Sequence, residues 1–160
     1  MGDASCAIAA DTKLETPEGG LTAKTLARKT APVFTLENGR ARFRMLSEAS
    51  VVAESAPVVL VSLDTGASFR VGPDQIVFKS GMVECRAADL QVGDALVPPF
   101  AYAPGYVFRD DATGEERTSD GSVKVAAVEH GGEAPMYRFA VNVTGTFFVA
   151  AGVLCKAASS

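Results

Sequence analysis

Few side chains in this sequence can attack a carbonyl or carry a proton near neutral pH. Its 160 residues include three cysteines, Cys6, Cys85 and Cys155, and one histidine, His130. A cysteine thiolate is a nucleophile and histidine is the usual proton carrier at pH 7, so a Cys–His pair would suit acyl transfer. The sequence gives no reason to bring His130 to a cysteine. It lies in EHGGEAP, which reads as a turn-rich link between two strands, and is expected to be an exposed turn residue. A zinc site made from the three cysteines and His130 would lack the short-range ligand pairs, CxxC or HxxxH, that such sites use. Three widely spaced cysteines also make no disulfide framework, and Cys85 and Cys155 read as small buried hydrophobes. Neither a metal nor a cofactor is expected.

One stretch has the form of a site without its reactive group. VGPDQIVFKSG, from Val71 to Gly81, sets a small residue and a Pro-Asp turn between two apolar runs, and the residue that follows the turn is Gln75. A glutamine amide donates and accepts hydrogen bonds but exchanges no proton near neutrality. Asp11 and Thr12 stand at a strand start and read as turn and entry residues. Asp89 and Asp94, in ADLQVGD, read as turn residues too, with Gly93 supplying an unusual backbone angle.

The elements that would position these residues are strands. VVLVSLDTGASFRVG, SVKVAAVEH and MYRFAVNVTGTFFVAAGVL set β-branched and aromatic residues between Gly, Asp and Asn turns, so the class is all-β. AKTLARK (Ala23 to Lys29) and CRAADL (Cys85 to Leu90) are long enough for one or two helical turns only. The polar run within 106–122 is expected to be a mobile acidic loop or hairpin tip. The chain also matches itself: APVVLVSLDTGASFRVGPDQIV from Ala56 aligns without gaps on APMYRFAVNVTGTFFVAAGVLC from Ala134, and KLETPEGGLTAKTL from Lys13 aligns on VFKSGMVECRAADL from Val77. Each half is too small to bury its own apolar face, which predicts two similar β-units with long bent strands about a pseudo-twofold axis.

A single domain over 1–160 is expected, with short tails at 1–5 and 157–160. A net charge of −4 with scattered basic residues argues against nucleic acid or an anionic membrane as partner. With no long apolar stretch and no leader pattern, the chain reads as a soluble, cytoplasmic monomer with no partner identified.

Taken together, these motifs resemble the Hint family, the fold of inteins, Hedgehog autoprocessing domains and bacterial intein-like domains. The resemblance runs from Cys6 to Lys156. It rests on an opening Cys6 followed by DTKLETPEGG, on the Pro73-Asp74 block with RAADLQVGDALVPP behind it, and on the closing APMYRFAVNVTGTFFVAAGVLCKA. In that family a Cys attacks the preceding carbonyl, here that of Ser5, and turns the amide into a thioester, while a Thr and a His polarise the carbonyl and protonate the leaving nitrogen. Cys6 falls in the nucleophile slot, although the spacing of many inteins would put Ala7 there. The Thr slot holds Gly72, the His slot Gln75, and an assisting Asp slot Arg138. Lys156 and Ala157 stand in the slots of the final His-Asn, whose Asn would cyclise. The resemblance therefore implies a Hint domain that has lost splicing and autoprocessing and persists as a folded binding or structural module. The alternative is a slow autoprocessing domain in which Cys6 performs an N–S acyl shift at the Ser5–Cys6 bond. No endonuclease segment, and so no DNA cutting, is implied.

Overall fold

The β-branched and aromatic runs fold almost wholly into antiparallel β-structure. The computed structural model describes residues 6–28, 31–37, 40–97, 105, 107–109, 114–118 and 123–157. In chain order the strands are β1 (Ile8–Ala9), β2 (Lys13–Thr16), β3 (Gly19–Thr22), β4 (Pro32–Glu37), β5 (Arg40–Leu63), β6 (Ser68–Val71), β7 (Ile76–Lys79), β8 (Val83–Arg86), β9 (Ala95–Leu96), β10 (Val107–Arg109), β11 (Glu116–Thr118), β12 (Val123–Val141), β13 (Thr146–Val149) and β14 (Val153–Lys156). Two single turns of helix interrupt them, α1 (Ala23–Leu26) and a 3-10 turn at Ala87–Asp89, within AKTLARK and CRAADL. No helix among the described residues is long and apolar enough to cross a membrane.

Two hairpins are built alike. In β2–β3, Pro17 pre-sets a turn, and the Thr16 hydroxyl accepts from the Glu18 N–H (3.1 Å) and donates to Gly19 O (2.7 Å). In β7–β8 the reversal uses Gly81 and Met82, at φ 83° and 61°, a region that glycine enters without penalty and methionine rarely does. Each hairpin runs into a helical turn whose first residue, Ala23 or Ala87, is completely buried. Each turn is also tied back to the hairpin's entry. Ala23 N–H donates to Thr12 O and Lys24 N–H to Ala10 O; in the second unit Ala87 N–H donates to Gln75 O and Ala88 N–H to Pro73 O. Thr12 and Gln75 thus hold corresponding places.

The long strands β5 and β12, of 24 and 19 residues, pair with each other. Ala56 lies opposite Ala134, so a twofold axis passing between them exchanges these two residues. The flanks repeat the pattern: β6 lies on β5 with Val71 opposite Val59, and β1 lies on β12 with Ile8 opposite Tyr137. Ile8 and Val71 then face each other, closing a ring of β5, β6, β1 and β12. In the other part of the sheet the order β3–β2–β13–β14–β7–β8 sets one hairpin on either side of a central pair. Leu14, Val61, Phe69, Val77, Leu96, Phe139 and Phe147 belong to the main core, and Ala7, Ala9, Ala56, Val58, Ala134 and Met136 form a second cluster of mostly small side chains beside the Ala56–Ala134 pair.

Two expectations change in detail, and the hairpin alternative for 106–122 takes a definite form. EHGGEAP is no link between strands: β12 runs through it, with a bulge between His130 and Glu133 where Gly132 has φ 83°. A Cβ on Gly131 would meet the Leu60 nitrogen at 3.0 Å, so this glycine is there for close approach of two backbones. The Ala56-on-Ala134 match also stops at the next turn. β6 folds back on β5 through a tight reversal (Gly66 N–H to Leu63 O), whereas β13 leaves β12 for β14 and β2. The turn between β12 and β13 is a γ-turn, Thr144 N–H to Asn142 O at 2.8 Å with Val143 at φ 71°, and β1 occupies the flank that the alignment gave to β13. In the 106–122 stretch, finally, β10 and β11 pair as a two-stranded ribbon. Residues 106, 110–113 and 119–122, with the tails at 1–5 and 158–160, lie outside the described residues.

Candidate functional site

The Gly72-Pro73-Asp74-Gln75 turn is fixed at both ends. Gly72 N–H donates to Ala7 O (2.8 Å), Gln75 N–H closes the turn on Gly72 O (3.1 Å), and Ala87 N–H holds Gln75 O (2.9 Å). Proline at the second position of such a turn supplies its φ. The Gln75 side chain is almost fully buried, and its Nε2 donates to two backbone carbonyls, Lys156 O at 2.7 Å and Ile76 O at 3.0 Å. A buried amide with its hydrogens in use stabilises the junction it bridges, here that of β7 with the end of β14.

Cys6 stands next to this turn. It is exposed, and its thiol points at Asp74 O, 3.6 Å away. Ala7 is buried in the small-residue cluster. Cys6, Gln75, Arg138, Lys156 and Ala157 border one small cavity of about 10 Å³, which is room for about one water-sized oxygen. Tyr137 and Phe139, stacked with ring centroids 6.5 Å apart, are also on its wall. Arg138 is half-buried, and its Nε has no hydrogen-bond partner among the described residues. The Lys156 ammonium turns outward to Glu84 at 3.2 Å, and Ala157 N–H donates to Gly145 O.

His130 is not on this wall. It is exposed on β12 opposite Val59. No three His, Cys, Asp or Glu side chains gather as metal ligands among the described residues. Burial pushes the Cys155 thiol far above the ordinary cysteine range, and Cys85 is raised too, by desolvation first, against the opposing pull of Lys79. Asp11 and Thr12 form a separate corner, where Arg70 binds the Asp11 carboxylate (2.7 Å) and accepts the Thr12 hydroxyl at its own carbonyl (2.7 Å). A cleft of about 220 Å³ opens there, but the Arg70 guanidinium already serves Asp11, Gly131 O and Glu133 O.

One residue beside the site was not read from sequence. Arg86 holds the Asp74 carboxylate through Nε and Nη2 and reaches Asp89 at 3.4 Å. Its guanidinium is held charged first by the hydrogen bond to Asp74 and, least, by the Cys6 sulfur. The contact depends on Arg86 lying opposite Ile76, a hairpin register that residue spacing alone does not state.

Solved structures with this architecture match over nearly their full length. A DnaB intein from Synechocystis sp. superposes with a TM-score of 0.71 at 10% identity, covering 96% of this chain and 99% of that one. The DnaX mini intein from Spirulina platensis gives 0.71 at 12%, covering 94% and 98%, and a bacterial intein-like domain from Clostridium thermocellum gives 0.67 at 17%, covering 94% and 97%. The fold is that of the inteins. Neither a family model nor a curated protein matches the chain. At such identities it is the intein architecture that is shared.

Proposed function

We propose that this is a Hint-type domain that has lost protein splicing and autoprocessing and persists as a folded binding or structural module. The observation that carries the reading is that, among the described residues, no histidine or carboxylate borders the Cys6 cavity, while the Lys156 ammonium turns away to Glu84. Converting the Ser5–Cys6 amide to a thioester needs a proton on the departing nitrogen. Gln75 cannot give one, its Nε2 hydrogens are held by Lys156 O and Ile76 O, and an arginine does not deprotonate in a protein. Ala157, in the slot of the cyclising Asn, has no side-chain nucleophile. A cytoplasmic setting goes with this reading, since three free thiols suit a reducing compartment.

A second reading keeps a slow N–S acyl shift at Ser5–Cys6, and the exposure of the Cys6 thiol favours it. Intact-mass spectrometry separates the two. The purified chain should keep its full mass in excess dithiothreitol or hydroxylamine, which capture a thioester only after the amide has rearranged. Loss of Met1 to Ser5 at a rate that rises with thiol, and that Cys6→Ala abolishes, would overturn the inactive reading.

A further inference from the structure

The outer strands of the hairpin part of the sheet are β3 and β8, each paired on one side only among the described residues. Such an edge offers backbone groups to a second strand, and proteins blunt it with proline, lysine or a bulge. β3 reads Gly-Gly-Leu-Thr, which has little to pack and no charge to fix a register. β8 reads Val-Glu-Cys-Arg, with no proline, lysine or bulge, and all of it but Cys85 is exposed, Val83 at 53%. The hydrogen-bond phase of this edge is readable. Ala87 N–H donates to Gln75 O, while on β7 Phe78 O and Ser80 N–H turn away from β8 to Val97 and Ala95. Bonding direction alternates along an antiparallel pair, so Val83 and Cys85 bond to β7, and Glu84 and Arg86 turn their N–H groups outward. A strand added about a twofold axis normal to the sheet runs antiparallel and must bond through those two residues, which leaves three registers within the strand. One centred on Glu84 sets glutamate against glutamate, and one centred on Arg86 sets arginine against arginine. The third, centred on Cys85, sets Glu84 opposite the second copy's Arg86, twice.

We infer that β8 is a self-association edge, at which a second copy of this chain adds its own β8 antiparallel in the register centred on Cys85. Opposite charges directly across a strand pair attract and like charges repel, so one register alone satisfies the charges. Glu84 and Arg86 each hold a partner within their own copy, Lys156 and Asp74, which orders both side chains before the copies meet. The same register brings two Cys85 residues face to face. They meet at a non-hydrogen-bonded position, where Cα atoms lie about 4.5 Å apart, within the range of a disulfide. The contact is short. A pair of four-residue strands covers less than the roughly 1,200 Å² of a stable interface, so the dimer is a transient one. The inference does not rest on whether the chain cleaves itself.

The test keeps the chain whole. In reducing buffer, sedimentation velocity should show monomer giving way reversibly to dimer at about 0.1–1 mM protein, the range of contacts below about 1,200 Å². Glu84→Lys sets positive charge against positive at both pairs and should weaken the dimer by about tenfold or more; Arg86→Glu sets negative against negative and should do the same. Mixed together, these two variants should associate again, because each then meets the opposite charge at both pairs. A parent that stays monomeric at about 1 mM, or a Glu84→Lys chain that dimerises as well as the parent, overturns the proposal. A covalent arm changes neither charge, and it decides the matter if Arg86→Glu, which gives up Asp74, does not fold. In Cys6→Ser, Cys85 is the one remaining thiol that is not buried. Two Cys85 thiols, losing two protons and two electrons to diamide, should then form a Cys85–Cys85 disulfide between copies, found by peptide mass spectrometry. Dimer without that link places the contact on another surface and sinks this one. Cleavage of the parent chain by thiol would overturn the inactive reading and leave the edge contact standing.

Discussion

In the proposed reading Gln75 stands where a proton donor would be needed, and its amide cannot titrate. What it does instead is structural, since its two donor contacts tie β7 to the last residue of β14. Gln75→Leu, close in volume, should therefore lower the unfolding free energy by about 1–3 kcal/mol by leaving Lys156 O without its partner; an unchanged urea midpoint would show that water replaces the amide at no cost. The thiols give a pH-dependent counterpart. Folded Cys155 holds its proton well above the ordinary value of 9.0. Below that value both states are protonated and stability is flat in pH. Above it the unfolded thiol ionises first, so stability falls as pH rises toward the folded value, by up to about 1.4 kcal/mol per unit. Urea titrations at pH 8 to 10.5 should find a shallower alkaline decline in Cys155→Ala than in the parent.

Among the described elements, the γ-turn at Asn142–Thr144 is the most strained. Val143, at φ 71°, is a β-branched residue in a region that costs L-residues about 1–2 kcal/mol. Its side chain is 79% exposed, so little packing is lost on replacing it. Val143→Asn should raise the unfolding free energy by about 1 kcal/mol, and a loss in urea denaturation would mean that Val143 makes contacts worth more than the strain. The hairpins were legible in sequence because turn chemistry is local: Pro17-Glu18 and Ser80-Gly81 announce themselves. Long β12 was not, since the same Gly-Gly signal that marks a turn also marks a bulge, and only the strand packed against Gly131 decides which. The burial of Arg138 Nε and the Arg86–Asp74 pair were equally hidden, because both depend on which strand lies beside which.

For the whole molecule, the repeat from Ala56 and Ala134 carried most of the architecture, since two matched halves with half-apolar strands have few ways to bury both faces. It misassigned one flank. β1 is only two residues long, too short to register in any periodicity, yet it completes the ring against Tyr137 and Val71. The twofold itself has a further meaning. A contact in which Ala56 meets Ala134 and Ile8 meets Val71 is the kind two identical subunits make, each offering the other the same surface. This chain therefore performs within one polypeptide what a homodimer performs between two, and a covalent weld between the halves is the Gly72-Pro73-Asp74 turn that joins β6 to β7. A true dimer would have to keep its two copies of the Gln75 position identical. The weld lifts that obligation: one copy of the position is Gln75 and the other Thr12, and the candidate site lies at the seam between halves that are free to differ.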